Sequence, residues 1–237
     1  MEWTPPLQKA TLIKRYKRFL ADVCLENGEQ LTVHCPNTGS MRSCGSPGAT
    51  VWVSYSNNPA RKLAYTWEYT ENATGLIGIN THLPNRLVKE ALMEGRLAPF
   101  VEVNKWQTEQ KYRQSRIDFK GRHSDGRQVW IEVKNVTLWQ ENRLYFPDAV
   151  TARGLKHLEE LRHIAEQGHR ACLLFTVNRN EAGPIYLAEA IDPAYYRAAL
   201  AAQRAGVEFH AFRVQADRHG SQLSSIAVEV AIPKGLA

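Results

Sequence analysis

Two stretches decide how this chain folds: Ser115-Arg116-Ile117-Asp118-Phe119-Lys120, and Gln128 to Leu138 with Glu132-Val133-Lys134 inside it. The turn signal His123-Ser124-Asp125-Gly126 lies between them, so they read as neighbouring strands. Side chains two apart on a strand share a face. Arg116 therefore projects with Asp118, and Glu132 with Lys134. Asp118 and Glu132 are fourteen positions apart, a separation that lets two paired strands present Asp, Glu and Lys to one point. Neighbouring carboxylates repel unless a cation lies between them, and Mg2+ is commonly held by one or two carboxylates together with water and phosphate oxygens. The expected cofactor is accordingly Mg2+ or Mn2+. A cation there would stabilise charge developing on a phosphate, and Lys134 would position or help deprotonate an attacking water. Asp118, Glu132 and Lys134 are thus the candidate catalytic residues. The plainer alternative is a charge ladder across a hairpin, each opposite pair contributing about 0.2–1 kcal/mol.

Outward from this pair, an amphipathic helix is expected on the N-terminal side. Thr81 and Pro84 are start signals, Leu83, Leu87, Val88, Ala91 and Leu92 fall at helical spacing, and Gly95 ends it. Lys105 to Arg113 is a further extended segment. On the C-terminal side, Leu155, Leu158, Leu161 and Ile164 form the apolar stripe of a helix over Thr151 to Gln167, stopped by Gly168. Ala171 to Val177 is a near-continuous apolar strand of the buried kind. Pro193 to Ala205 reads as an alanine-rich helix and Val207 to Val214 as another strand. The order is α-β-β-β-α-β, then α-β. An Asp followed by Glu-x-Lys within that order resembles the core of the PD-(D/E)xK nuclease superfamily, with Ile117 where the nominal motif has proline. The resemblance implies a further acidic metal ligand from the first helix, and Glu90 is the position that matches.

The chain before residue 80 has another character. Leu12 to Leu25 reads as one long extended stretch closed by Glu26-Asn27-Gly28-Glu29. Gln30 to Cys35, Ala49 to Ser54, Lys62 to Thr70 and Gly75 to Ile79 follow as short strands with turn-rich joins. Five short strands in about 80 residues suggest a small closed all-β barrel, of which an OB-fold is one candidate. The change to mixed α/β character divides the chain into 1–82 and 83–237.

Lys9, Lys14, Arg15, Lys17 and Arg18 form the densest basic cluster, with no acid between Trp3 and Ala21. On one strand, Lys14, Tyr16 and Arg18 would share a face, and Arg15, Lys17 and Phe19 the other. Basic and aromatic side chains facing outward combine phosphate neutralisation with base stacking in single-strand binders; the alternative is a solvated face backed by a core face. Asn37 and Thr38, with Gly39 and Ser40, offer donors to phosphate or form a polar turn. Arg61 and Lys62 beside a turn, Arg116, Lys156 and His157 complete the candidate DNA contacts. His157 reads either as a phosphate contact or as a surface histidine. Trp67, Trp106 and Trp139 are read as packing residues.

Longer strings sharpen the resemblance. They include Arg15-Tyr16-Lys17-Arg18-Phe19, His34-Cys35-Pro36-Asn37-Thr38-Gly39-Ser40-Met41, Asn58-Pro59-Ala60-Arg61-Lys62-Leu63 and Gly78-Ile79-Asn80-Thr81. Ser115 to Phe119, Glu132 to Leu138, Phe146-Pro147-Asp148-Ala149-Val150-Thr151, Arg153-Gly154 and Lys156-His157-Leu158 continue the series. Together, over residues 12 to 212, they look like the sugar fermentation stimulation protein A family. That resemblance implies an N-terminal OB-fold joined to a PD-(D/E)xK nuclease-like domain. It also implies non-specific DNA binding and a regulatory role in maltose metabolism.

Composition bounds these readings. The 237 residues carry 30 Lys+Arg and 24 Asp+Glu, a net charge of +6, with 43% hydrophobic residues; a disordered or collagen-like chain is excluded. No apolar run approaches the roughly 18–20 residues of a membrane span, and Met1 to Pro6 lacks a signal-peptide pattern. Cys24, Cys35, Cys44 and Cys172 form no CxxC pair, which reads as buried thiols in a reducing, cytoplasmic compartment. His34-Cys35 with Cys44 lacks the short-spaced pairs of a structural zinc site. Three functions compete: a non-cutting DNA-binding regulator, a Mg2+-dependent phosphodiesterase acting on DNA or RNA, and an oligosaccharide-binding module, since OB-folds also take sugars.

Overall fold

The computed structural model describes residues 1–37, 39, 41 and 43–233. Six strands build the N-terminal part: β1 (Gln8–Tyr16), β2 (Leu20–Leu25), β3 (Gln30–His34), β4 (Thr50–Tyr55), β5 (Tyr65–Asn72) and β6 (Gly75–Gly78). They lie in the order β3-β2-β1-β4-β5-β6, and a parallel pairing of His34 with Thr66 joins β3 to β5. The first five strands thereby close into a barrel with OB topology. Val23, Val33, Val51, Val53 and Trp67 are fully buried inside it, the inward half of each strand's alternation.

The long stretch expected from Leu12 to Leu25 is in fact a hairpin. Tyr16 pairs with Leu20, and the intervening Lys17 and Arg18 adopt φ of 49° and 63°. Such angles are usually taken by Gly or Asn, so no local residue marks the turn. The alternation of faces stops at Tyr16, and Lys14, Tyr16 and Arg18 do not share a strand face.

The second part opens with α1 (Leu83–Met93), whose Leu83, Leu87, Val88, Ala91 and Leu92 are buried. Gly95, at φ 64°, supplies the left-handed residue that ends it. There follow β7 (Val103–Tyr112), β8 (Ser115–His123), β9 (Gln128–Val136), β10 (Leu138–Gln140), β11 (Arg143–Phe146) and α2 (Ala152–Glu166). After these come β12 (Arg170–Val177), β13 (Ile185–Leu187), α3 (Pro193–Arg204), β14 (Glu208–Ala216), β15 (Ser221–Ala227) and β16 (Val230–Ala231). The main sheet has the order β15-β14-β12-β9-β8-β7, with β12 parallel to both β9 and β14. α1 covers one face, packing on Phe119, Val129, Ile131 and Leu174. α2 and α3 cover the other, with Leu158, Leu161, Tyr195 and Ala199 against Trp130, Leu173 and Phe175. The expected αβββαβ core is present. A small sheet, β10-β11-β13-β16, was not expected.

The two parts share a seam. Glu2 bridges to Gly220, Leu7 N–H donates to Arg218 O at 2.9 Å, and Leu7 and Tyr69 are buried in the α1-side core. Arg179 donates to Thr137 O at 2.9 Å and Ser43 Oγ at 3.1 Å, while its partner Glu181 accepts from Asn72 of β5 at 2.9 Å. Among the described residues, no helix is long and apolar enough to cross a membrane.

Candidate metal and nucleic-acid site

β8 and β9 pair from Phe119 with Ile131 to Arg122 with Gln128. Beyond Phe119 they part, and Asp118 lies where they diverge. Its Oδ2 accepts from Val133 N–H at 2.7 Å, and its Oδ1 from Asn85 Nδ2 of α1 at 2.7 Å. Glu132 faces α2. Its Oε1 accepts from Lys134 Nζ at 2.6 Å and is also hydrogen-bonded to His157 Nδ1, which lies 3.4 Å from Lys134 Nζ. The other oxygen, Glu132 Oε2, is buried and has no hydrogen-bond partner among the described residues.

The two carboxyls feel each other. Burial, and after it the charge of Glu132, push Asp118 up to about 6, against the pull of Val133 N–H, Lys134 and Asn85. Burial also pushes Glu132 up, but its hydrogen bond to His157 and the Lys134 ammonium outweigh that and hold it below the usual carboxylate range. An unpartnered buried carboxylate oxygen is expensive, and two interacting carboxylates are more so. A hard divalent cation, which takes oxygen ligands, would satisfy the free oxygen and remove the repulsion. The donor set fits such an ion.

Glu90 stands elsewhere, contrary to its expected place beside the carboxylates. Its Oε2 accepts from the Met1 ammonium at 2.9 Å. It follows Asn85 by five residues, about 140° around the helix and about 7.5 Å along it, so α1 brings Asn85 rather than Glu90 to Asp118. Arg116 is exposed and pairs with Glu109 of β7 at 2.7 Å, away from the carboxylates despite its parity with Asp118. Lys156 Nζ donates to Gln114 O at 3.0 Å on the surface. His157 is no surface histidine: it is buried against Glu132.

The remaining candidates lie on the barrel. Lys14 is exposed and 3.4 Å from Asp22. Arg15 Nη2 donates to the carbonyls of Arg18, Asn37 and Gly39, so it braces the loop after β3. Asn37 is buried and accepts from Gly39 N–H at 2.8 Å, a polar turn. Thr38 lies outside the described residues. Lys17, Arg18, Arg61 and Lys62 are exposed. Asn85 went unnoticed in the sequence because it looks like any polar residue in a first helical turn.

A second cluster also went unnoticed. Cys172, Glu208 and His210 bring ligand atoms within 4.8 Å of one another on β12 and β14. Arg170 already occupies both oxygens of Glu208, at 2.6 and 2.8 Å, and His210 Nε2 lies 2.8 Å from Oε2. A cation there would face a guanidinium, so this group is a hydrogen-bonded ion pair and not a vacant coordination shell.

Comparison with known proteins gives concordant matches. Residues 13–79 match the family described as SfsA N-terminal OB domain, and residues 82–220 the one described as sugar fermentation stimulation protein RE domain. A sugar fermentation stimulation protein homolog of Shewanella baltica (strain OS195) is 49% identical over 219 residues, covering 91% of this chain and 93% of that protein. The homolog of Shewanella sp. (strain ANA-3) is 48% identical with the same coverage. A solved structure of Pyrococcus furiosus SfsA in complex with Ca2+ shares the fold, with a TM-score of 0.88, 22% identity and 98% coverage of each chain.

Proposed function

Since the chain belongs to the sugar fermentation stimulation protein family, we propose that it is a DNA-binding protein of low sequence specificity. In this reading residues 1–82 are a barrel module and 83–237 a nuclease-like one that holds Mg2+ or Mn2+ between Asp118 and Glu132. A regulatory part in sugar metabolism rests on the family's name, and its narrowing to maltose only on what the resemblance implies. The carrying observation is the buried, unpartnered Glu132 Oε2 within electrostatic reach of Asp118. The Ca2+ in the P. furiosus relative supports a hard divalent ion, because Ca2+ takes the same oxygen donors.

A second reading, a metal-dependent phosphodiesterase, is favoured by Lys134 Nζ at 2.6 Å from Glu132. A bound cation would supply charge stabilisation for a phosphate oxygen. The protein's own groups do the rest. Asn85 and Val133 N–H aim Asp118, His157 and Lys134 aim Glu132, and the Lys134 ammonium adds positive charge beside the two carboxyls.

Fluorescence anisotropy of labelled DNA over a range of salt tests the binding. Because phosphate contacts dominate non-specific binding, affinity should fall steeply with salt; salt-insensitive binding, or none at low salt, overturns the proposal. Incubating single- and double-stranded DNA and RNA with Mg2+ or Mn2+ separates the two readings. Cleavage lost in both Asp118→Ala and Lys134→Ala establishes the phosphodiesterase, and binding without cleavage leaves the regulator.

A further inference from the structure

The end of the barrel that carries the turn after β1 presents aromatic rings that neither the carboxylate site nor the core uses. β1 ends at Tyr16 and β2 begins at Leu20, while β4 ends at Tyr55 and β5 begins at Tyr65. Leu20 pairs with His34, His34 with Thr66, and Tyr65 with Tyr55. The register therefore runs across β2, β3, β5 and β4 as one row at a single rim, with neighbouring strands about 4.8 Å apart. The turn at residues 17–19 and the loop at 56–64 both leave the barrel there.

Phe19 is 51% exposed and Tyr55 44% exposed on this rim. The Phe19 backbone is fixed, its O accepting from Cys35 N–H at 2.7 Å, and the Tyr55 ring packs against Tyr65 with centroids 5.2 Å apart. Exposed Lys17, Arg18, Arg61 and Lys62 surround them, and residues 16–20 and 55–65 contain no acidic residue. Arg61 is anchored by its hydrogen bond to Thr66 Oγ1 at 2.6 Å. Arg18 continues inward: with Arg15, Gly39 and Phe146 to Thr151 it lines a cleft that ends at the start of α2, the helix carrying His157.

Exposed aromatic rings in segments that carry cations and no acid match the stacking platforms that bind unpaired bases and neutralise their phosphates. In a duplex the faces of the bases are already stacked, so such rings have nothing to take. Resting on the nucleic-acid reading above, we propose that this rim binds single-stranded nucleic acid. Phe19 and Tyr55 are its stacking rings, Arg18 and Arg61 its phosphate contacts, and the strand is led into the cleft toward α2.

The test is anisotropy with a short single-stranded oligodeoxythymidylate and with a duplex, using wild type, Phe19→Ala, Tyr55→Ala, Tyr55→Phe and Arg18→Ala. Thermal melting first establishes that each variant folds, as expected for exposed positions. Each aromatic-to-alanine change should weaken single-strand binding roughly five- to tenfold. Duplex binding and the salt slope should stay unchanged, because no charge is lost. Tyr55→Phe should retain wild-type affinity. Arg18→Ala should instead lower the salt slope by about one. Quenching of a 2-aminopurine base by wild type and not by Phe19→Ala would report stacking directly. Unchanged single-strand affinity in both alanine variants, or equal losses on single strand and duplex, overturns the platform while leaving DNA binding intact. No binding of either probe by wild type overturns the functional reading itself, and the platform with it.

Discussion

Arg179 and Glu181, at the seam between barrel and mixed sheet, have side chains only 2% and 7% exposed; Glu132, at the parting of β8 and β9, has one 3% exposed. All three bury charge, yet they are finished differently. Arg179 Nη2 and Nε meet the two oxygens of Glu181 at 2.6 and 3.0 Å, and its Nη1 reaches Thr137 and Ser43. Each Glu181 oxygen is bonded. Glu132, by contrast, has both partners on one oxygen and none among the described residues on the other. A buried pair that serves only the fold gains by completing its hydrogen bonds, since every unmade one costs about 1–3 kcal/mol. A site left incomplete, with an adjacent carboxylate raising its electrostatic cost, is one that the proposed cation would complete.

The seam should be the more sensitive of the two to truncation. Arg179→Ala leaves Glu181 buried without its guanidinium and removes the ties to Ser43 and Thr137. Urea denaturation should show a loss of about 3–5 kcal/mol. A loss below about 1 kcal/mol, the range of exposed pairs, would mean that the seam is not a structural element and would break the contrast.

Much of the carboxylate site was legible because it depends on local periodicity. Parity on β9 places Glu132 beside Lys134, the β8–β9 hairpin brings Asp118 to Val133 between them, and the apolar stripes of α1 and α2 mark the covering helices. What stayed hidden depends on helix rotation and long-range packing. Asn85 rather than Glu90 meets Asp118 because of where α1 turns its first face, and His157 meets Glu132 only because α2 crosses the sheet. The β1–β2 hairpin was missed because Lys17 and Arg18 hold positive φ without being glycine. β10, β11, β13 and β16 have two to four residues each, too few for alternation to register. The seam pair was invisible for a related reason: Arg179 and Glu181 lie in a loop after β12, where no periodicity assigns a side chain to the interior.

At the carboxylate site the same comparison predicts the opposite response. Asp118→Asn preserves shape and removes a charge that repels Glu132, but it gives up one acceptor: its remaining oxygen keeps Val133 N–H and the Asn85 amide turns to accept from the new NH2, so metal-free stability should stay within about 1 kcal/mol of wild type. The cation's contribution should vanish. For wild type, Mg2+ at a hundred times its dissociation constant should stabilise by about 2.7 kcal/mol, read as an upward shift of the melting midpoint, with no shift in Asp118→Asn. A variant that loses stability without metal while keeping the full Mg2+ response would place the cation elsewhere.

Acid sharpens the contrast by a smaller amount. Burial raises the Glu181 carboxyl, but the hydrogen bonds from Arg179 and Asn72 outweigh it and hold the group at about 2, against an ordinary 4.5. A carboxyl whose pKa is lower folded than unfolded contributes its stability in full above about pH 4.5, and that contribution is lost as the pH falls toward about 2. Glu208, held at about 2 against burial by Arg170 and His210, contributes over the same window. Urea midpoints between pH 5 and pH 2 should therefore fall more steeply in wild type than in Glu181→Gln, which cannot titrate at the seam. The variant begins from lower stability at neutral pH and converges on wild type in acid, keeping only the slope due to Glu208 and the remaining acids. Parallel curves for the two proteins would mean that the Arg179–Glu181 pair is as strong with the carboxyl protonated as ionised, and its completeness would then owe more to packing than to charge.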